Sequence, residues 1–354
     1  MLRWRGAVRR RVSALRGERT LDSGIWRLEL SETMSAIFNA LPGMEVPVGA
    51  INAGFNRLWA NTDVQDQRAM QLNLVLHFGF NTTPQDAEVQ FRTTVEFSRR
   101  YPCRVVALCP ERDEAAPREF KAKIYGECSF GKSGKDTRCC EFVMLSYPMG
   151  THDFLQNQVS ICLSTDLPLY YWAHRFSSNK RFAAYDYLLT RSRRVLFDSA
   201  VVPADAFTFP WPNPAGVRDL AYTRTRPLRQ TIGQFLSRYV PADIVEGLRA
   251  VTLSHRADLS AEAFAMLGWL KKGLVRCGAN AENAIDFSVS PRPCENCFEI
   301  AFTYRDAKKK FSWSADLKTH QAEFEGDLGH GRTTLTAAAR LLEPAEALSE
   351  AMFG

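Results

Sequence analysis

Apolar positions along this chain follow two distinct patterns. Leu72–Phe78 (LNLVLHF) is a dense apolar run of strand length, Arg104–Leu108 (RVVAL) reads as a second, buried strand, and Leu167–Trp172 (LPLYYW) as a further strand. Between the first two, Thr83-Pro84-Gln85-Asp86 reads as a helix start: a capping hydroxyl, a proline in the first turn and an acid three residues on. Ala87, Phe91 and Val95 then recur one turn apart, and Pro102 sets the limit of the helix. Leu72–Leu108 is therefore predicted as strand, helix, strand, with the two strands parallel. Further strands are expected at Phe120–Cys128, Cys139–Ser146 and Val195–Phe197, and helices at Thr151–Cys162 and Asn179–Leu189. This alternation predicts a sheet with helices packed on it.

Val201–Gly216 carries four prolines and reads as a loop, followed by a helix face at Leu228, Ile232, Phe235, Leu236 and Tyr239. A second unit is expected from Pro241. Ser260 is placed to cap its helix, Leu259 and Phe264 are spaced as a hydrophobic staple, and Ala263, Leu267, Leu270 and Leu274 form the inner stripe. Ile285–Val289, Phe298–Tyr304 and Phe311–Leu317 read as an antiparallel meander, and the chain is expected to end in helix around Thr334–Leu342. The predicted class is α/β: a mixed, largely parallel sheet with flanking helices, plus a smaller α+β C-terminal domain with the meander. The expected units are a weakly patterned extension at 1–66, an α/β domain at 67–240 and the C-terminal domain at 241–354.

Charge narrows the functional classes. Residues 1–20 hold seven arginines against Glu18, which accounts for the whole net charge of +6; the remainder balances at 38 basic and 38 acidic residues. A body so balanced is not expected to bind nucleic acid. The basic start has three readings: a translated extension or disordered arm, a functional basic arm, or an organelle transit peptide. The chain holds no apolar run of membrane-spanning length, so no membrane partner is expected. Nine cysteines in no framework spacing, without a secretory signal, lead to an expectation of reduced thiols in the cytoplasm.

Several motifs invite chemistry. Gly126-Glu-Cys-Ser-Phe-Gly-Lys-Ser133 fits the phosphate-loop pattern, but a Gly-rich polar stretch follows where a helix is required, so a hairpin turn is expected instead. Cys294-x-x-Cys297 suits neutral turn thiols, a redox pair or half a zinc site, the last needing Cys277 and His320 to fold close. His77 sits in an apolar strand and reads as a satisfied core residue, while His174 lies just beyond a strand end, where sites often occur. No catalytic constellation, metal set or dinucleotide fingerprint is recognised, and no cofactor is expected. Asp166, Arg175, Asp198 and Ser199 flank predicted strands and are candidates to border one crevice, with loop capping as the alternative. Of Tyr170, Tyr171 and Trp172, alternation sets the middle ring opposite the other two, so one face is core and the other a candidate partner surface.

The same segments resemble the glucose-6-phosphate dehydrogenase assembly protein family (OpcA). The resemblance runs in order from about Phe91 to Leu274: Tyr101-Pro-Cys-Arg-Val-Val106, Cys140-Glu141, Asp166-Leu-Pro-Leu-Tyr-Tyr-Trp172, Arg194-Val-Leu-Phe-Asp-Ser-Ala200, Asp219-Leu-Ala-Tyr-Thr-Arg224 with Pro227-Leu-Arg229, and Leu267-Gly-Trp-Leu270. It implies a non-catalytic cytoplasmic protein that binds glucose-6-phosphate dehydrogenase and favours its active oligomer. Together with the strand-end reading, the partner-contact candidates are Asp166, Tyr170, Trp172, Arg175, Asp198, Ser199, Asp219, Arg224 and Arg229. Tyr171, Tyr222 and Leu228 depart from the Trp common at those family positions, and Cys103 from a common Ser. Cys294 and Cys297 are the redox candidates, with a thioredoxin-type protein as their possible partner. The alternative is a sensor or enzyme that binds a phosphorylated sugar or nucleotide at the strand-end crevice.

Overall fold

The computed structural model of the chain describes residues 37–60, 70–111, 120–130, 137–148, 151–279, 285–293 and 297–354. Two sheets organise it. The first comprises β1 (Met44–Val46), β2 (Leu72–Phe78), β3 (Cys103–Glu111), β4 (Lys121–Phe130), β5 (Thr137–Pro148), β6 (Leu169–His174), β7 (Arg194–Phe197) and β8 (Val217–Asp219). Their spatial order is β1-β4-β5-β3-β2-β6-β7-β8, and every neighbour from β5 to β8 runs parallel. β4 is antiparallel to both β5 and β1.

Parallel strands need crossovers, and these put helices on both faces. One face is covered by a helix described at 37–40 (α1), by α3 (Pro84–Arg100), and by side chains of α7 (Leu220–Arg224) and α11 (Pro344–Phe353). The other carries α2 (Ile51–Trp59), α4 (His152–Cys162), α5 (Asn179–Ala183) and α6 (Asp186–Arg191). This double cover explains the unbroken burial of β2, whose seven residues are all buried. Its two polar residues are satisfied. Asn73 holds the 163–168 turn through Ser164 and Leu167. His77 meets the Tyr171 hydroxyl through Nδ1 at 2.9 Å and the Tyr147 hydroxyl through Nε2 at 2.7 Å, as a core histidine should. The expected α3 cap is present, with Thr83 Oγ1 accepting from the Asp86 N–H.

The second sheet has the order β10-β9-β11-β12-β13-β14. Its strands are β9 (Leu248–His255), β10 (Asp286–Pro291), β11 (Cys297–Tyr304), β12 (Lys310–Asp316), β13 (Gln321–Asp327) and β14 (Thr333–Ala338). α8 (Arg226–Leu236), α9 (Pro241–Val245) and α10 (Ser260–Arg276) supply its core. The protein is thus mixed α/β, with a large, mostly parallel sheet and a smaller, mostly antiparallel one.

Local expectations fail in four instructive places. β10 pairs parallel to β9 and does not extend an antiparallel meander, because α10 is the crossover that joins them. Thr333–Ala338 is a strand, its threonines better suited to a pleat than to a helix, and the terminal helix begins only at Pro344, behind a Glu343/Glu346 capping box. Asn179–Leu189 breaks into α5 and α6 where the Tyr185 ring turns inward, 4.4 Å from His77. Ser260 opens α10 without capping it, and Phe264 is exposed and forms no staple.

Gly126, the first residue of the phosphate-loop pattern, lies inside β4 beneath α2. A Cβ there would come within 2.5 Å of the Leu58 and Trp59 side chains, so glycine is required for helix-to-sheet packing. The turn at 131–136 lies outside the described residues. Gly126→Ala should therefore cost about 1–3 kcal/mol by overpacking. Urea denaturation would measure it; a cost below about 0.5 kcal/mol would mean that α2 sits farther from the strand.

Candidate functional site

The first sheet reverses its winding between β2 and β6. From β2 the chain moves through α3 to β3 on one side, while β6 leads to β7 and β8 on the other. Such a reversal opens a crevice outside the carboxyl ends of the strands. Here the two ends close on each other. The Gly79 N–H donates to the His174 carbonyl at 2.7 Å, and any Cβ on Gly79 would strike the Arg175 carbonyl oxygen. Arg175 itself adopts the left-handed φ of 52°.

Asp86, in the first turn of α3, gathers the polar groups at this point. It accepts from His174 Nε2 at 2.8 Å, from Arg175 Nε and, through its other oxygen, from Gln90 at 3.1 Å. Burial alone would raise the Asp86 carboxyl; the hydrogen bond and charge of His174, with Gln90 and Arg175, outweigh it and hold the group well below the usual carboxylate range. His174 is only 3% exposed. Its Nδ1, Trp172 Nε1 and Thr82 Oγ1 are buried without a hydrogen-bond partner among the described residues.

Beyond β7 the second cluster joins the two sheets. Arg224, at the end of α7, grips Asp198 with two hydrogen bonds of 2.7 and 3.0 Å. Its Nε and second terminal nitrogen reach Glu262 of α10 at 2.8 and 2.6 Å. Burial works against the cation, but the two carboxylates override it and push the Arg224 pKa further upward. Asp219 caps α7 by accepting from the Ala221 N–H at 3.0 Å, and it accepts from the backbone and hydroxyl of Ser199 at 3.0 and 2.8 Å. Arg229 stacks 3.7 Å above the Tyr222 ring centroid and donates to the Tyr222 carbonyl.

The structure sorts the residues singled out from sequence. Arg175 lies at the β2/β6 reversal; Asp198, Ser199, Asp219 and Arg224 form one cluster, with Arg229 on the following helix. Asp166 is exposed at the amino end of β6, a full strand from Arg175, and does not border a carboxyl-end crevice. Tyr170, Tyr171 and Trp172 are all buried, since helices cover both faces of β6, so neither face of that strand is a free surface. Tyr171 and Leu228, two departures from the family's tryptophans, are likewise core residues, whereas Tyr222 is 39% exposed. Sequence reasoning missed Glu262, whose partner Arg224 is 38 residues away, and read Asp86 only as a helix-start acid.

The expectation of reduced thiols is also corrected. Cys128 and Cys139 form a disulfide across the β4–β5 hairpin, where strand register sets them directly opposite. Spacing alone conceals that register. Cys297 is disulfide-bonded as well, and Cys294 lies outside the described residues. Cys140 points to the opposite face from Cys139, and burial pushes its thiol up to about 11. Among the described residues no group of three or more His, Cys, Asp or Glu is placed to hold a metal ion, and no helix is long and apolar enough to cross a membrane.

Two predictions follow from these clusters. Asp86→Asn should cost about 1–3 kcal/mol at pH 7. A carboxyl depressed by folding stabilises fully above its unfolded pKa, near 4, and loses that contribution as pH falls through the lower native value. Denaturation of both proteins between pH 3 and 7 should show the difference shrinking below about pH 4; a constant difference would contradict the ion-pair account. Arg224→Ala leaves two carboxylates without their cation and should cost about 3–5 kcal/mol, with Arg224→Lys recovering only part. A loss below about 1 kcal/mol would remove Arg224 as the joint between the sheets.

Comparison with known proteins places these residues in context. A search of curated proteins finds no match to the chain. The family model described as the glucose-6-phosphate dehydrogenase subunit N-terminal domain, of the OpcA assembly type, matches residues 94–209. The match runs from within α3 to the 3-10 turn after β7, and so spans β3 to β7 with the ends of β6 and β7. The motifs at 219–229 and 267–270 lie beyond it. Residues 94–209 thus resemble the N-terminal domain of glucose-6-phosphate dehydrogenase subunits of the OpcA assembly type.

Proposed function

We propose that this protein is a non-catalytic effector that binds glucose-6-phosphate dehydrogenase in the cytoplasm and promotes its active oligomer. The match of residues 94–209 to a dehydrogenase-subunit domain carries the reading. The strand-end chemistry supports it: Asp86 is engaged by His174 and Arg175, and Asp198 and Glu262 by Arg224. Such groups hold a surface in shape. The partner-contact residues proposed are those of the carboxyl edge that reach solvent, Arg175, Ser199, Asp219 and Arg229, with Asp198 and Arg224 fixing them and Tyr170 and Trp172 supporting them from the core. Asp166 would act separately, at the other end of β6.

The mechanism is linkage. A protein that binds the active assembly tenfold more tightly than the inactive one shifts the equilibrium by about 1.4 kcal/mol. Titrating the same organism's dehydrogenase with this protein should give a saturable rise in activity, with co-elution and a fixed stoichiometry in light scattering. Neither complex nor rate change, in reduced and in oxidised samples, would reject the proposal.

The three unpartnered groups near the β2/β6 reversal favour one second reading, a sensor of a phosphorylated sugar or nucleotide. Melting with millimolar glucose 6-phosphate would support it by a rise in midpoint and reject it by none. Thiol exchange with a thioredoxin-type protein at Cys294 and Cys297 is the proposed redox input. Replacing both by Ser should abolish any oxidant dependence of the activation; dependence that survives would assign it elsewhere.

A further inference from the structure

The segment that follows β7 and the first turns of α10 enclose a groove of about 560 Å³ between the two sheets. Phe207 lines it from the 3-10 turn at Ala204–Thr208 and Phe264 from α10, each 61% exposed. Ser199, Asp219, Asp258 and Ser260 supply its polar atoms, four alanines complete the lining, and no lysine or arginine contributes. Two large rings left in water on opposing elements are an unusual exposure of apolar area beside a polar floor.

The charges at this junction are answered with one exception. Asp198 and Glu262 share Arg224, and Asp258 is paired with Arg256. Asp219 accepts only from neutral donors and has no ion-pair partner among the described residues. Burial, with the nearby charge of Asp198, pushes its carboxyl upward against those hydrogen bonds. A cation at this carboxylate would relieve both effects. An anion would gain the amino end of α10 but would face Asp219 and Asp258.

We propose that the groove receives an arginine side chain of the dehydrogenase, its guanidinium lying against the Phe207 and Phe264 rings and donating to Asp219. Arginine suits the site better than lysine because a planar, weakly hydrated guanidinium stacks on aromatic faces and keeps its in-plane N–H groups for a carboxylate. The partner's identity rests on the proposed function; the cationic chemistry does not.

The experiment therefore has two arms, both on the full chain. In the first, N-acetyl-arginine amide is titrated into isotope-labelled protein. Saturable shifts are expected at the amides of Ser199, Asp219 and Phe264, weaker with the lysine amide and absent with the uncharged citrulline analogue. No shifts, or equal shifts with citrulline, overturn the proposal. In the second, Phe207→Ala and Phe264→Ala should each weaken dehydrogenase binding at least tenfold with melting unchanged, while Ile161→Ala, an equally exposed residue on α4, leaves binding intact. Wild-type affinity in both phenylalanine variants overturns it. If the wild-type protein does not bind the dehydrogenase, the partner assignment falls, and the arginine titration still decides the groove's chemistry. Self-association abolished by Phe264→Ala would assign the groove to a second copy. An arginine response seen only after removal of residues 1–20 would assign it to this chain's own arginine-rich segment. Either result overturns the proposal.

Discussion

One guanidinium holds the two halves of this protein in register. Arg224 sits where the parallel sheet ends and the second sheet's helices begin, with Asp198 on one side and Glu262 on the other. Neither carboxylate is well exposed, so each would be costly without its cation. The same residue's carbonyl accepts from the Leu342 N–H, which brings the chain back toward the first sheet. α11 then packs on α3 and α7, and the Phe353 ring meets Tyr101 and Tyr170. The second sheet's helices are thereby tied back to the first sheet, with Arg226–Glu350 a further ion pair between α8 and α11.

That joint shapes what the carboxyl edge of the sheet offers. At the β2/β6 reversal, where a ligand crevice would open, Gly79 brings the strand ends together and Asp86 engages the neighbouring cation. Farther along, Asp198 is taken by Arg224, and Asp219 stands beside two exposed aromatic rings. The edge thus changes character from a closed ion-pair cluster to an open aromatic groove with one unanswered carboxylate. A surface of that kind suits recognition of another protein: rings contribute area, and a fixed charge selects orientation.

The parallel sheet was legible in sequence because its strands are short runs buried on both faces and its first crossover helix is well capped. Leu72–Leu108 folds as that pattern predicts, down to the Thr83 cap and the satisfied His77. Several of the failures share one physical origin. Strand direction at β10, the Cys128–Cys139 pairing and the Arg224–Glu262 bond depend on which segments become neighbours, and local periodicity carries no such information. The burial of all three aromatics in β6 has the same cause, since α11 reaches that strand from the far end of the chain. Asp219 was legible as part of a motif, but Phe264 was misread as a staple: its ring lines the groove that Phe207 also lines and stays exposed.

The central claim is that this protein shifts the dehydrogenase toward its active assembly, and sedimentation of the dehydrogenase over a dilution series tests it most directly. With saturating effector present, the concentration at which the active oligomer dissociates should fall at least tenfold, the effector sedimenting with the oligomer. An unchanged dissociation curve, with the effector migrating alone, would contradict the account.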